Sequence, residues 1–219
     1  MTPEHIVSQA IARGLHLIAI TDHNAMRQCR EVQLVGREKG LTVWCGVEIN
    51  TREEVHCLAY FESPEEQLTF QRFLDLHLSN VPNHPLKFGD QVWVDRHENI
   101  IGSEPRLLIM GLMADIDQVA AEVKRLNGIF IAAHVDRPYN SIISQLGFID
   151  ERLPFDAIEL SARCNRTAFL ANHPQLARYP VITSSDAHCP DQIGTSPFVF
   201  QAPDLSFGAF RLMLAHLPR

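Results

Sequence analysis

Two hydrophobic periods alternate along the chain. Ile6, Val7, Ala10 and Ile11 fall on one helical face, which Thr2 caps, Pro3 opens and Gly14 stops. An unbroken apolar run then predicts a strand over 15–20, and a helical pattern over 25–39 closes at Gly40. Strands are expected over 42–49 and 55–61, and Ser63 with Glu66 forms a capping box that opens the next helix. Two helices follow, at 105–113 and at 115–127, the second capped by Asp115 and ended by Gly128. Strands are then expected at 129–133, 156–160 and 180–184, with a last helix at 206–217. Strands alternating with helices predict an α/β fold built on a mostly parallel sheet. One link is the exception. Residues 50–54 are too few for a parallel crossover, so strands 42–49 and 55–61 should lie antiparallel, which brings His56 beside Glu48. The stretch 80–104 interrupts the pattern with a proline-bearing loop and a hairpin turning at His97–Asn99, and reads as an insertion on one domain spanning 1–219.

Of the 219 residues, 46% are apolar, enough for a substantial core. The net charge of −7 argues against nucleic acid as a partner, since such surfaces usually carry a basic stripe. It leaves small phosphorylated substrates open, because a metal supplies positive charge locally. The five cysteines form no C-x-x-C pair, which fits a reducing cytoplasm. No apolar run reaches the ~18 residues of a membrane span, and the polar start MTPEHIVSQA does not read as a signal peptide. A cytoplasmic protein without a membrane partner is expected.

The candidate chemistry sits where the strands end. Strand 15–20 runs into Asp22-His23, and strand 42–49 ends at Glu48. Strand 129–133 runs into His134, Asp136 and Arg137, and strand 180–184 into Ser185, Asp186 and His188. Ligand sites of parallel α/β folds lie at the carboxyl ends of strands, and these groups meet only if the sheet curls, so a barrel is expected. Taken singly, Thr21-Asp22-His23-Asn24 is an ordinary Asx turn and His134 an ordinary core histidine. Taken together, imidazoles and carboxylates at one structural address suit Zn²⁺, Mn²⁺ or Fe²⁺. Such metals activate water and clamp phosphoryl oxygens. No G-x-S-x-G, P-loop or dinucleotide fingerprint is present.

In order along the chain, GLHLIAITDHNAM, GVEINTREEVHCLAYF, IFIAAHVDRP and ITSSDAH resemble motifs of the PHP (polymerase and histidinol phosphatase) superfamily. The resemblance runs through nearly the whole chain. It implies a distorted (β/α)₇-type barrel, up to three divalent metals at the strand ends, and phosphoesterase activity. Carried over by position, it makes Glu48 a bridging ligand, with His56 and His134 ligands of one metal beside it. Asp186 would join Glu48 on a neighbouring metal, His23 and His188 would hold a third, and Asp22 would orient the site. Arg137 and Arg163 are candidates for contact with a substrate phosphate.

One feature departs from the family pattern. The family normally begins with a strand carrying His-x-His, and this sequence contains none. The first barrel strand and up to three ligands are therefore expected to be missing, leaving fewer metals and an open barrel edge through which the chain would self-associate. Either the start is an internal methionine or the protein is a metal-poor relative; the filled downstream positions favour the first. The function implied is hydrolysis of a small phosphate ester, a nucleotide or a sugar or amino-alcohol phosphate. The alternative is a non-catalytic binding or regulatory module with an incomplete metal site.

Overall fold

A computed structural model describes residues 1–217. The first half runs α1 (Pro3–Ala12), β1 (Leu17–Ile20), α2 (Cys29–Glu38), β2 (Thr42–Asn50), β3 (His56–Phe61) and α3 (Pro64–His77). A short α4 (Pro85–Phe88) and the hairpin β4 (Val92–Val94) and β5 (Ile100–Ser103) form the insertion. The second half runs α5 (Ile116–Arg125), β6 (Ile129–Ala132), α6 (Ile142–Leu146), β7 (Ala157–Leu160), α7 (Arg166–Asn172), β8 (Val181–Thr183) and α8 (Phe207–His216). The main sheet has the order β1-β2-β3-β6-β7-β8 and curls into a half-barrel of the PHP kind. Its neighbours are parallel except at β3, which is antiparallel to both β2 and β6, as the short link at 50–54 requires. Among the described residues, β1 and β8 are the outer strands, so the half-barrel is open between them.

Strand alternation gives the sheet two faces with different tasks. Val43, Cys45, Val47, Ile49, Cys57 and Phe61 belong to the larger core, together with Val32 and Val35 of α2 and Phe70 and Leu74 of α3. The concave face carries Leu58, Tyr60, Ile129, Ile131 and Ile182, joined by Phe207, Phe210 and Leu214 of α8. Trp44 meets Phe207 and Phe210 edge-on at 5.6 and 5.0 Å, so α8 closes one end of the interior. Gly46 is required here, because a Cβ would lie 2.6 Å from the Tyr60 ring.

The helix expected over 105–113 does not form. Long-range side-chain bonds take its carbonyls instead. Asn24, buried with φ +49°, donates through Nδ2 to the carbonyls of Leu108 and Met110 at 2.8 and 2.9 Å, and Asn50 Nδ2 donates to that of Ile109 at 2.9 Å. Asn24 Oδ1 also accepts from the Asn50 amide at 3.0 Å. The segment is thereby held as an irregular strap, with a turn closed by the Met110 amide on the Leu107 carbonyl at 3.3 Å, beside the ends of β1 and β2. Asn24→Ala would take the partner from the buried Asn50 amide and from the part-buried Leu108 and Met110 carbonyls, and would leave a Cβ residue without local bonding at positive φ. A loss of about 3 kcal/mol is expected, read as a lower urea midpoint at unchanged slope. An unchanged midpoint would refute the clamp.

Candidate metal centre

The register of β1 on β2 builds the first half of the site. The pairing Leu17↔Thr42 continues past the end of β1 to an isolated parallel bridge between His23 and Glu48. The Glu48 amide donates to the Asp22 carbonyl at 3.2 Å, and the Asn24 amide to the Glu48 carbonyl at 2.9 Å. His23 and Glu48 thus emerge side by side. On the other flank of β2, Asn50 pairs with His56 and Glu48 with Leu58, so His56 is the diagonal neighbour of Glu48 on one face. His134 arrives from the exit of β6, where a positive φ of 28° turns the chain sharply. Strained backbone of this sort concentrates at functional sites.

These elements bring three imidazoles onto one carboxylate. His56 Nδ1 donates to Glu48 Oε1 at 2.7 Å and His134 Nε2 to the same oxygen at 3.2 Å, while His23 Nδ1 lies 3.8 Å from Oε2. Glu48 is only 6% exposed. Burial alone would raise its pKa, but the hydrogen bonds from His134 and His56, with the charge of His23 nearby, outweigh that and hold the carboxyl far below its ordinary range. Burial works against protonating His134 too, and there the Glu48 carboxylate prevails and raises its pKa. At His23 burial dominates and lowers the pKa, which favours the neutral, metal-ligating form.

The donor set suits a divalent cation. Ligand atoms of His23, Glu48 and His56 all lie within 4.8 Å of one another. Bonds of about 2.1 Å in a tetrahedron would space such atoms about 3.4 Å apart, so modest side-chain rotation closes the set. His23 Nδ1 is buried with no hydrogen-bond partner, an unsatisfied state that a ligated cation would relieve.

The remaining expected residues lie around this cluster. Asp22 opens onto a cavity of about 940 Å³ that runs from His23, Glu48 and His134 to Phe200 and Phe210 beneath, and His16 also lines it. Asp186 lies at the exit of β8 with φ +45°; its Oδ2 makes a close ion contact of 2.5 Å with Arg137 Nη2, and its Oδ1 is 3.6 Å from His188 Nδ1. The His188 and His23 rings are 6.1 Å apart. Arg163 is exposed after β7 and is not among the residues lining the cavity. His84 and His97 are exposed in the insertion.

Glu159 is the residue that sequence reasoning passed over. It projects from the middle of β7 and is 3% exposed. Its carboxylate accepts from the His134 amide at 3.3 Å and from the Ser184 hydroxyl, tying the exits of β6 and β8 together. Burial raises its pKa to about 7. A carboxylate inside the otherwise apolar run AIEL was the available signal.

The PHP domain profile matches residues 1–143, well over half of the chain. The chain belongs to the PHP domain family. A curated relative, the uncharacterized protein YqxK of Bacillus subtilis (strain 168), is 31% identical over 124 residues, covering 54% of this PHP chain and 30% of the relative. The chain therefore spans less than a third of that relative's length. Among solved structures, Endonuclease Q in complex with a 27-mer duplex bearing an abasic lesion is similar at TM-score 0.67 and 17% identity, over 99% of this chain and 52% of that one. The lesion-specific endonuclease PfuEndoQ of Pyrococcus furiosus is similar at TM-score 0.69 and 18% identity, with the same coverages of 99% and 52%. A proposed metal-dependent phosphoesterase of Bifidobacterium adolescentis is similar at TM-score 0.56 and 18% identity, over 98% of this chain and 90% of that one. At these identities the likeness is one of fold.

The Endonuclease Q complex corrects one expectation. A net charge of −7 does not set nucleic acid aside, because this fold occurs in a protein solved with duplex DNA. Net charge averages over a whole surface, whereas phosphate is met locally, by a metal or a few cationic side chains. Among the described residues no helix is long and apolar enough to cross a membrane.

Proposed function

We propose that this PHP domain is a metal-dependent phosphoesterase centred on Glu48. The observation that carries the reading is a buried carboxylate met by three imidazoles at the carboxyl ends of a curled sheet. His23, Glu48, His56 and His134 would hold a divalent cation, Zn²⁺, Mn²⁺ or Fe²⁺ by the nature of the donors. A cation in that position lowers the pKa of water and polarises a phosphoryl oxygen. Glu48 keeps Oε2 free of hydrogen bonds and directed toward His23, which orients the donor set. Arg137 offers Nη2 to Asp186 and leaves much of its guanidinium open, at 42% side-chain exposure, to grip a second phosphoryl oxygen. Asp22, on the cavity wall, would orient the site from behind.

A small phosphate monoester fits a site set inside a cavity. A phosphodiester in nucleic acid is the second reading, supported by the fold shared with Endonuclease Q and by the cavity mouth, where Trp93 lies under Arg27 at 4.9 Å. Both side chains are half-buried, and the aromatic–cation pair they make is of the kind on which a base can stack. The deciding experiment offers the Mn²⁺-loaded chain an aryl phosphate, a bis-aryl phosphate and a duplex with one abasic site. Release from the monoester alone supports the first reading, and cleavage of either diester the second. A chain that binds metal yet turns over none of the three would overturn phosphoester hydrolysis.

A further inference from the structure

Asp186, the carboxylate at the exit of β8, already has a cation. Arg137 Nη2 lies 2.5 Å from Asp186 Oδ2, an oxygen that is itself buried and has no aligned hydrogen-bond donor. The contact is therefore ionic, and it occupies the oxygen with which Asp186 would bind a metal. Arg137 does not reach this place by chance flexibility. Its amide donates to the His134 carbonyl at 2.9 Å, and its own carbonyl accepts from the Ser141 hydroxyl at 2.7 Å. The preceding residue, Asp136, accepts from the amide and hydroxyl of Ser161 at 2.7 and 2.5 Å, fastening the loop to the exit of β7. Asp186 stands at positive φ, so its side chain is delivered by a backbone turn that few non-glycine residues adopt.

We propose that Arg137 supplies the second positive charge of this centre, so that the Glu48 cluster takes one divalent cation and the guanidinium on Asp186 excludes another. The phosphoryl group of a substrate would then be held between one metal and one arginine rather than between two metals. Two metals that share a phosphoryl group sit about 3.5–4 Å apart. A cation ligated to Asp186 at that spacing would have to displace the guanidinium or bear its repulsion at close range. Arginine suits the substitution because its planar fork stays charged and can face a carboxylate and a phosphate at once.

The inference rests on the metal-site half of the function proposed above and is tested apart from turnover. The full chain is stripped with chelator, titrated with Mn²⁺, and read by elemental analysis and by electron paramagnetic resonance. Wild type should hold one tight Mn²⁺ per chain with the signal of an isolated ion. Arg137→Met should admit a second Mn²⁺ and show spin coupling, whereas Arg137→Lys, which keeps the charge, should remain at one. Adding Asp186→Asn to Arg137→Met should return the count to one. Two coupled ions in wild type would overturn the proposal, as would a folded Arg137→Met that stays at one. No bound metal in any of these proteins would fail the Glu48 site itself, a different result that removes both readings.

Discussion

Glu48→Gln is expected to weaken divalent-cation binding by more than about 100-fold while leaving the fold intact. Loss of a group that merely orients a ligand typically costs 10–100-fold in affinity, and among the described residues Glu48 is the carboxylate that all three imidazoles face. Glutamine keeps the volume and one acceptor oxygen, so His56 and His134 retain a hydrogen-bond partner. The charge is what is lost. With it goes the force that raises the His134 pKa, so the variant should also take up fewer protons near neutrality. Competition against a chromogenic chelator measures the affinity, and circular dichroism checks the fold. A variant that binds as tightly as wild type would remove Glu48 from the centre of the site.

How far the site could be read from sequence depended on how local each cause was. Apolar runs ending abruptly in Asp22-His23, Glu48 and His134 marked the strand exits, because a buried strand seldom carries such residues except where the chain leaves the core. The short link at 50–54 fixed the sense of β3 by chain geometry alone, and the approach of His56 to Glu48 followed. The strap at 105–113 was not legible. Its conformation is set by Asn24 and Asn50, dozens of residues away, and its own residues carry a plausible helical pattern. The seating of Arg137 on Asp186 joins two strand exits far apart in sequence, so each residue could be marked but not their pairing. Net charge misled for the converse reason. It is a sum over the chain, and recognition of a phosphate uses only the few charges near it.

The unusual burial of Glu159 has a consequence for stability. In an unfolded chain this carboxyl would titrate in the ordinary range, near 4.5; in the fold, burial pushes it up to about 7, against the pull of the Ser184 hydroxyl and His134. The folded state therefore holds the proton more tightly. Its contribution to stability is complete below the unfolded pKa and is lost as pH rises through about 7. A shift of that size corresponds to about 3 kcal/mol between pH 5 and pH 8, a large share of the 5–15 kcal/mol that holds a typical domain together. Glu48 has the opposite sign, since its lowered pKa removes stability only as pH falls below the ordinary carboxylate range, outside this window. His134, with its raised pKa, loses stability in the same direction as Glu159, so the informative quantity is the difference between two proteins. Glu159→Gln in chelator should gain on wild type by about 3 kcal/mol as pH goes from 5 to 8 in urea unfolding. A cation at Glu48 would lower the Glu159 pKa by its field and shrink that gain. A difference independent of pH would mean that Glu159 ionises as an ordinary carboxylate, and that the bond from Ser184 compensates its burial in full.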